Sequence, residues 1–368
     1  MRMKDKIKKI IIFIYCIVIA FSITSCDNKT PGLQSQPWSS GEVSETSSVE
    51  KVSSEKEDPS GKGNLWADKK LSVGVIGPGS ESAWRTASIQ NIYNVVKEWN
   101  IDMEFADGQC KQQIQIEHLE DLIEKEVDVI GFIPVVEYGW EKILMKVKQA
   151  GIPVILIDRT VNCADESLWI SHIVNNYHRE GQMAGEWLIE YLEKQGKLDE
   201  EIKIAELHGS EGKKATKGNK EGFREAIKGN SNIEITISKE GHFIQAKGYE
   251  EMSNILQETT DIDVLYCHND DMAFGAIEAI EEAGLVPGED IIIVSIMGTN
   301  AALEAIVDGK IACSVEASPF MGDLFMEACV RLANGETIER EIHPVDRVFD
   351  ITNAQAELDA REKNGYGY

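Results

Sequence analysis

From residue 71 onward the chain repeats one pattern. Short runs of β-branched and aliphatic residues fill 71–76, 101–105, 127–133, 154–157, 168–174, 202–207, 233–237, 264–266, 291–296 and 311–315. Each run is short for a helix and suits a buried strand. Most are separated by amphipathic stretches. Within residues 82–99, Trp84, Ala87, Ile92, Val95, Val96 and Trp99 recur at three- and four-residue spacing. Ile114, Leu119, Leu122 and Ile123 do the same, as do Met183, Trp187, Leu188 and Tyr191. Such a stripe faces a core from one side of a helix. Strand–helix alternation predicts α/β architecture, with parallel sheets covered on both faces. So many strands are more than one core serves, so two doubly wound lobes are expected.

The start of the chain is different. Lys4, Lys6, Lys8 and Lys9 precede an apolar run from Ile10 to Ile23, which ends in Thr24, Ser25 and Cys26. A basic region, an apolar run and small residues make a secretion signal. The run is short for a membrane span. Residues 1–25 with the following cysteine resemble a bacterial lipoprotein signal, which makes Cys26 the acylated first residue of the mature chain. Residues 26–65 are rich in Ser, Glu, Lys, Pro and Gly, and they read as a disordered tether. As a flexible coil it spans roughly 35 Å.

The net charge of −26 argues against nucleic acid and against adhesion to anionic lipid. Beyond Cys16 and Cys26, five cysteines remain: Cys110, Cys163, Cys267, Cys313 and Cys329. That number is odd and no pair has metal-site spacing, so no disulfide framework and no metal are expected. Most are read as small buried apolar residues.

In doubly wound sheets ligands sit beyond the carboxyl ends of the strands. That rule selects Trp84 and Arg85 after the first run, Asp158 and Arg159 after the fourth, and Asn269 in the second half. Arg85, Asp158, Arg159 and Asn269 offer the planar hydrogen-bonding groups that vicinal hydroxyls need. Trp84 and Trp140 offer an aromatic face for the C–H side of a sugar ring. Trp84 also lies on an apolar stripe, so core packing and ring stacking are both open for it. Asp270 and Asp271 begin a helix, where capping is expected of at least one. Glu137 and Glu141 read as solvated. Catalytic motifs are missing: Gly209-Ser210-Glu211-Gly212-Lys213-Lys214 lacks the first Gly and the Ser/Thr of a phosphate loop. The chain reads as a binding protein without cofactor or catalytic residue, not as an enzyme.

These residues carry a family resemblance. Residues 79–85, Ala106-Asp107-Gly108-Gln109, Pro134-Val135-Val136, Gly139-Trp140-Glu141, Asp158-Arg159 and residues 268–272 resemble the galactofuranose-binding proteins of sugar ABC transporters. These belong to the ribose/galactose cluster of type I periplasmic binding proteins. The resemblance implies two Rossmann-like lobes joined by three crossovers, near Val174-Asn175, Ala317-Ser318 and residues 345–349. The lobes are then 66–174 plus 319–346, and 175–318 plus 347–368. It implies Ser82, Trp84, Arg85, Asp158, Arg159 and Asn269 as sugar ligands.

Three positions depart from the pattern. Asn219 stands where the subgroup has Arg, Met297 where it has Asp, and Phe320 where it has Asn. The second lobe is therefore expected to contact a different or less hydroxylated sugar, with a deoxy carbon, methyl group or C–H face toward Met297. Lys214 and Lys217 are candidates to replace the lost cation. The function expected is a lipid-anchored, monomeric protein outside the cytoplasm that binds a monosaccharide of furanose, pentose or hexose type. Its partner is the permease of a sugar ABC transporter. The alternative is a sensor that presents the sugar to a membrane histidine kinase or chemoreceptor.

Overall fold

A computed structural model of the chain describes residues 70–79, 82–99, 101–364 and 367–368. The signal segment, Cys26 and the tether lie outside them. No helix among the described residues is long and apolar enough to cross a membrane.

The predicted runs become strands. The first lobe carries β1 (Leu71–Gly77), β2 (Ile101–Asp107), β3 (Val129–Phe132), β4 (Val154–Ile157) and β5 (Ser171–Ile173). The second carries β6 (Ile202–His208), β7 (Ile233–Glu240), β8 (Val264–Cys267), β9 (Ile292–Met297) and β10 (Cys313–Glu316). Two short strands complete the sheets: β11 (Glu341–Ile342) in the first and β12 (Val348–Asp350) in the second. The sheet orders are β11-β5-β4-β3-β1-β2 and β12-β10-β9-β8-β6-β7. All pairings are parallel except β10 with β12. Such sheets need cover on both faces, and helices supply it. They are α1 (Ala83–Val95), α2 (Gln112–Glu124), α3 (Glu141–Gln149) and α9 (Gly322–Ala333) in the first lobe. In the second they are α4 (Tyr177–Lys194), α5 (Lys214–Ile227), α6 (Gln245–Glu258), α7 (Asp270–Glu282), α8 (Asn300–Val307) and α10 (Ala354–Asn364).

Each sheet has an apolar core on either face. In the first lobe Ile76, Phe132 and Leu144 pack on one side, and Val75, Ile155 and Phe325 on the other. In the second lobe Leu207, Leu265 and Ile293 face α7 and α8, while Tyr266, Phe223 and Leu188 fill the opposite side. Full burial of each such side chain contributes about 1.5–3 kcal/mol. Four of the five cysteines are buried, and Cys110 is exposed.

The chain passes between the sheets three times: from β5 to α4, from β10 to α9, and from β11 to β12. The crossings are tied to one another. Asn175 in the first donates to the Ser318 carbonyl at 3.1 Å and accepts from the Ser318 N–H at 3.3 Å. The same N–H lies 3.4 Å from Asp346 Oδ1 in the third. Just before these points, the Val174 N–H donates to the Ile342 carbonyl at 3.0 Å.

Candidate functional site

The carboxyl ends of both sheets face one cleft. Its inner part is a cavity of about 330 Å³, lined from both lobes and from the crossings. Trp84, Arg85, Asp158, Arg159, Asn219, Asn269 and Met297 are on its wall. An outer cavity of about 860 Å³ adjoins it and shares Asp158, Arg159, Tyr177, Ala215 and Phe243. Both volumes fall in or near the range of small-molecule sites, roughly 300–1,000 Å³.

Arg85 sits in the first turn of α1, where Ser82 Oγ caps the helix by accepting from the Arg85 N–H at 3.1 Å. Its guanidinium is 4% exposed and its Nη2 forms an ion pair with Asp158 Oδ2. Asp158 follows β4 directly and has φ +59°, a left-handed conformation that Asp tolerates better than most residues. The Asp158 N–H donates to the Ile173 carbonyl at 2.7 Å. His172 Nε2 lies 3.0 Å from the Asp158 carbonyl. Burial, helped by Lys214, lowers the His172 pKa. Trp84 donates from Nε1 to the Ala317 carbonyl at 2.7 Å. The indole thus both packs on the first core and contributes to the cavity wall.

Across the cleft, Gly181 and Gly222 bring α4 and α5 together. A Cβ on Gly222 would lie 1.9 Å from the His178 carbonyl oxygen, and one on Gly181 would lie 2.3 Å from that of Asn219. This contact sets Glu180 and Asn219 on the same wall. Below them Glu206 is wholly buried. Burial alone would raise its pKa, but hydrogen bonds from His268, Arg224 and Ser238 hold it well below the carboxylate range. Arg224 reaches both Glu206 oxygens at 2.8 Å. His268 Nε2 lies 3.3 Å from Glu206 Oε1. Burial lowers the His268 pKa, against the Glu206 hydrogen bond and charge, which raise it. An ionised Glu206 only accepts, so Nε2 carries the proton, and in the neutral ring Nδ1 is an acceptor.

Six buried side-chain polar atoms find no hydrogen-bond partner among the described residues. Five belong to the cavity wall: Arg85 Nε and Nη1, Glu180 Oε1, Asn219 Oδ1 and His268 Nδ1. Leaving such an atom unpaired costs about 1–3 kcal/mol, so the concentration in one cavity makes it the candidate ligand site.

Several expectations need correction. Trp140 offers no ring face: it is 0% exposed, packs edge-on against Phe132, and donates from Nε1 to the Val136 carbonyl at 2.7 Å. It shapes the cleft only by holding that loop. Ser82 caps α1 and is not on the cavity wall. Lys217 points outward and pairs with Glu221 at 3.9 Å, because α5 buries Thr216, Asn219 and Phe223 on its other face. Lys214 lines the outer cavity, not the inner one. Phe320 lines a separate groove of about 410 Å³ and sits edge-on to Tyr368. Asn269, not an aspartate, caps α7, accepting from the Met272 N–H at 3.1 Å. Asp270 is instead a buried hub for Ser295, Ser314 and Thr299. Glu137 is solvent-exposed, as expected, and pairs with Lys213 of the other lobe at 3.5 Å. Glu180, His268, Tyr177 and Phe243 were not picked out from the sequence. His268 lay inside a quoted motif at a strand end, which was a usable signal.

Two layered α/β lobes around a polar cleft define a class of solute-binding proteins. A family model described as a periplasmic binding protein domain matches residues 73–337, and the chain belongs to that family. Among its relatives is the galactofuranose-binding protein YtfQ of Escherichia coli (strain K12). It is 36% identical over 300 residues, which is 80% of this chain and 93% of YtfQ. The binding protein of the arabinose ABC transporter from Shewanella sp. ANA-3, solved with α- and β-L-arabinofuranose, is 36% identical. Its TM-score is 0.67, over 80% of this chain and 97% of that one. A protein from Mycobacterium smegmatis in complex with β-D-fucofuranose is also 36% identical, with TM-score 0.65, over 80% and 96%. These relatives bind solutes rather than transform them, and this chain is a binding protein, not an enzyme.

Proposed function

We propose that the chain is a lipid-anchored, extracytoplasmic protein that binds a monosaccharide, of furanose, pentose or hexose type, and delivers it to an ABC permease. The observation that carries this reading is the set of five unpartnered polar atoms around one cavity of monosaccharide scale. Arg85 Nε and Nη1 donate to ring or hydroxyl oxygens, and His268 Nδ1 accepts from a hydroxyl. Trp84 and Phe243 supply apolar surface on the two sides. The furanoses bound by the similar Shewanella and Mycobacterium proteins support a furanose here. The lobes are 66–174 plus 319–346, and 175–318 plus 347–368.

A thermal-shift screen of the full chain against a broad monosaccharide panel tests the reading. One sugar class should raise the melting temperature and titrate one to one. No response from any sugar would refute it. The anchor is tested separately by detergent partitioning. Cys26→Ala should release the chain from the membrane or leave it as unprocessed precursor, and equal retention of a cleaved mutant would sink the anchor.

A further inference from the structure

Glu180 is the least expected group in the cleft. It lies in the first turn of α4, directly after the first crossing, and is 1% exposed. Its Oε1 has no hydrogen-bond partner among the described residues and no protein cation is paired with it there. The charged group that acts on it most is another carboxyl, Asp346 of the third crossing. Tyr177 on its own helix and Tyr266 of β8 also face it, and neither is a cation. Arg224 is engaged by Glu206, and Arg85 by Asp158. The lysines of α5 are elsewhere, Lys214 on the outer cavity and Lys217 paired outward.

The atoms around Glu180 share one character. Asn219 Oδ1 and His268 Nδ1 are also buried, also unpartnered, and on the wall of the same cavity. Asn219 Oδ1 is an acceptor, and so is His268 Nδ1 in the neutral ring that carries its proton on Nε2. Burial and Asp346 push the Glu180 pKa well above the carboxylate range, so Glu180 becomes acceptor-only once a cation ionises it. Asp271, on the same wall, adds another carboxyl. A neutral hydroxyl brings one proton to donate, whereas an ammonium group brings three and a positive charge. A buried carboxylate without a cation is strongly disfavoured, and one matched by a cation is not. The wall also holds three carboxyls, Asp158, Glu180 and Asp271, against two guanidiniums, Arg85 and Arg159.

We propose that the ligand of the inner cavity carries an ammonium group, held by Glu180, Asn219 and His268, so that the site selects an amino sugar over the corresponding neutral sugar. This rests on the sugar-binding reading above and names the class of sugar. Arg85 and Arg159 take the hydroxyl edge of the ligand from the first lobe, and the nitrogen sits against the second lobe and the first crossing.

The test is calorimetric titration of the full chain with matched sets of sugars: the amino form, its N-acetyl derivative and the hydroxyl parent, with the nitrogen at different ring positions. The amino form of one set should bind about ten- to a hundredfold tighter than its hydroxyl parent, the range of one charge-assisted hydrogen bond. N-acetylation, which removes the charge, should abolish the gain. Glu180→Gln should collapse the ratio of amino to hydroxyl affinity toward one. Asn219→Arg, which places a protein cation beside Glu180, should do the same without altering the carboxyl. A hydroxyl parent that binds as tightly as every amino form overturns the proposal and leaves the sugar reading standing. An unchanged ratio in both variants also overturns it. Failure of all the forms to bind overturns the sugar reading, and this one with it.

Discussion

Asp158→Asn isolates the charge that orients Arg85. The carboxylate is 16% exposed and the guanidinium 4%, so the pair is shielded from salt and water. Asp158 holds Nη2, which leaves Nε and Nη1 for the cavity. Asparagine keeps the size, and it tolerates the left-handed φ of +59°. What it removes is the negative charge. A hydrogen bond to a charged group contributes about 1.5–3 kcal/mol, which is about ten- to a hundredfold in affinity. Part of the loss appears in folding too, because removing one partner of a buried pair strands the other. Asp158→Ala adds the strain of an ordinary residue in left-handed backbone, about 1–2 kcal/mol. Calorimetric titration and scanning calorimetry on both variants give the comparison. The expected result is similar loss of affinity in both, with a lower melting temperature in the alanine variant. Wild-type affinity in Asp158→Asn would show that the pair is structural and faces no ligand. Equal melting of the two variants would refute the backbone argument.

Met297→Asp combined with Asn219→Arg should shift preference toward galactofuranose by about 1–3 kcal/mol, since a hydroxyl facing Met297 gains no strong acceptor; competition titration against a deoxy furanose measures it. The ligand-induced change in tryptophan fluorescence should vanish in Trp84→Phe and persist in Trp140→Phe, because of these two Trp84 lines the cavity and Trp140 does not. Asp346 is pushed up to about 7, chiefly by burial and further by Glu316, against the Ser318 N–H. The folded state then holds its proton more tightly than the unfolded chain does. Its contribution is full below the ordinary carboxylate pKa and is lost as pH rises toward about 7 and beyond. Asp346→Asn should therefore flatten the fall of the melting temperature between those limits, and parallel wild-type and variant profiles would refute the assignment.

The sheets were legible because buried parallel strands leave unbroken β-branched runs, and each of the ten runs overlaps a strand. β11 and β12 were not, since Glu341–Ile342 and Val348–Asp350 are too short to make a run. The run at 168–174 mixes a 3₁₀ turn ending at Leu168 with the three residues of β5. The strand-end rule found Arg85, Asp158, Arg159 and Asn269 because sheet topology alone brings those positions to one cleft. It failed where helix rotation decides. Trp140 precedes α3 and turns into the core, and Lys217 lies on the outer side of a helix whose inner side carries Asn219. Glu180 was hidden by composition. In so acidic a chain one more glutamate reads as solvated, and only packing shows it buried.

The unpartnered atoms predict that a ligand governs closure of the lobes. Arg85 comes from the first lobe, Asn219 and His268 from the second, and Glu180 from just beyond the first crossing. Bringing the lobes together without a ligand strands each of these atoms, at about 1–3 kcal/mol apiece. The Glu137–Lys213 pair across the mouth is half-exposed on both sides and returns only about 0–1 kcal/mol. Protein contacts of that size do not hold the lobes shut against several stranded groups. A ligand that satisfies them does, and hinge closure around it follows from differential affinity for the two arrangements. The hydrogen bonds among Asn175, Ser318 and Asp346 tie the three crossings to one another. It follows that a substitution which satisfies a cavity atom from within the protein, as Asn219→Arg does for Glu180, makes closure less dependent on the ligand. Discrimination among sugars should fall as that dependence falls.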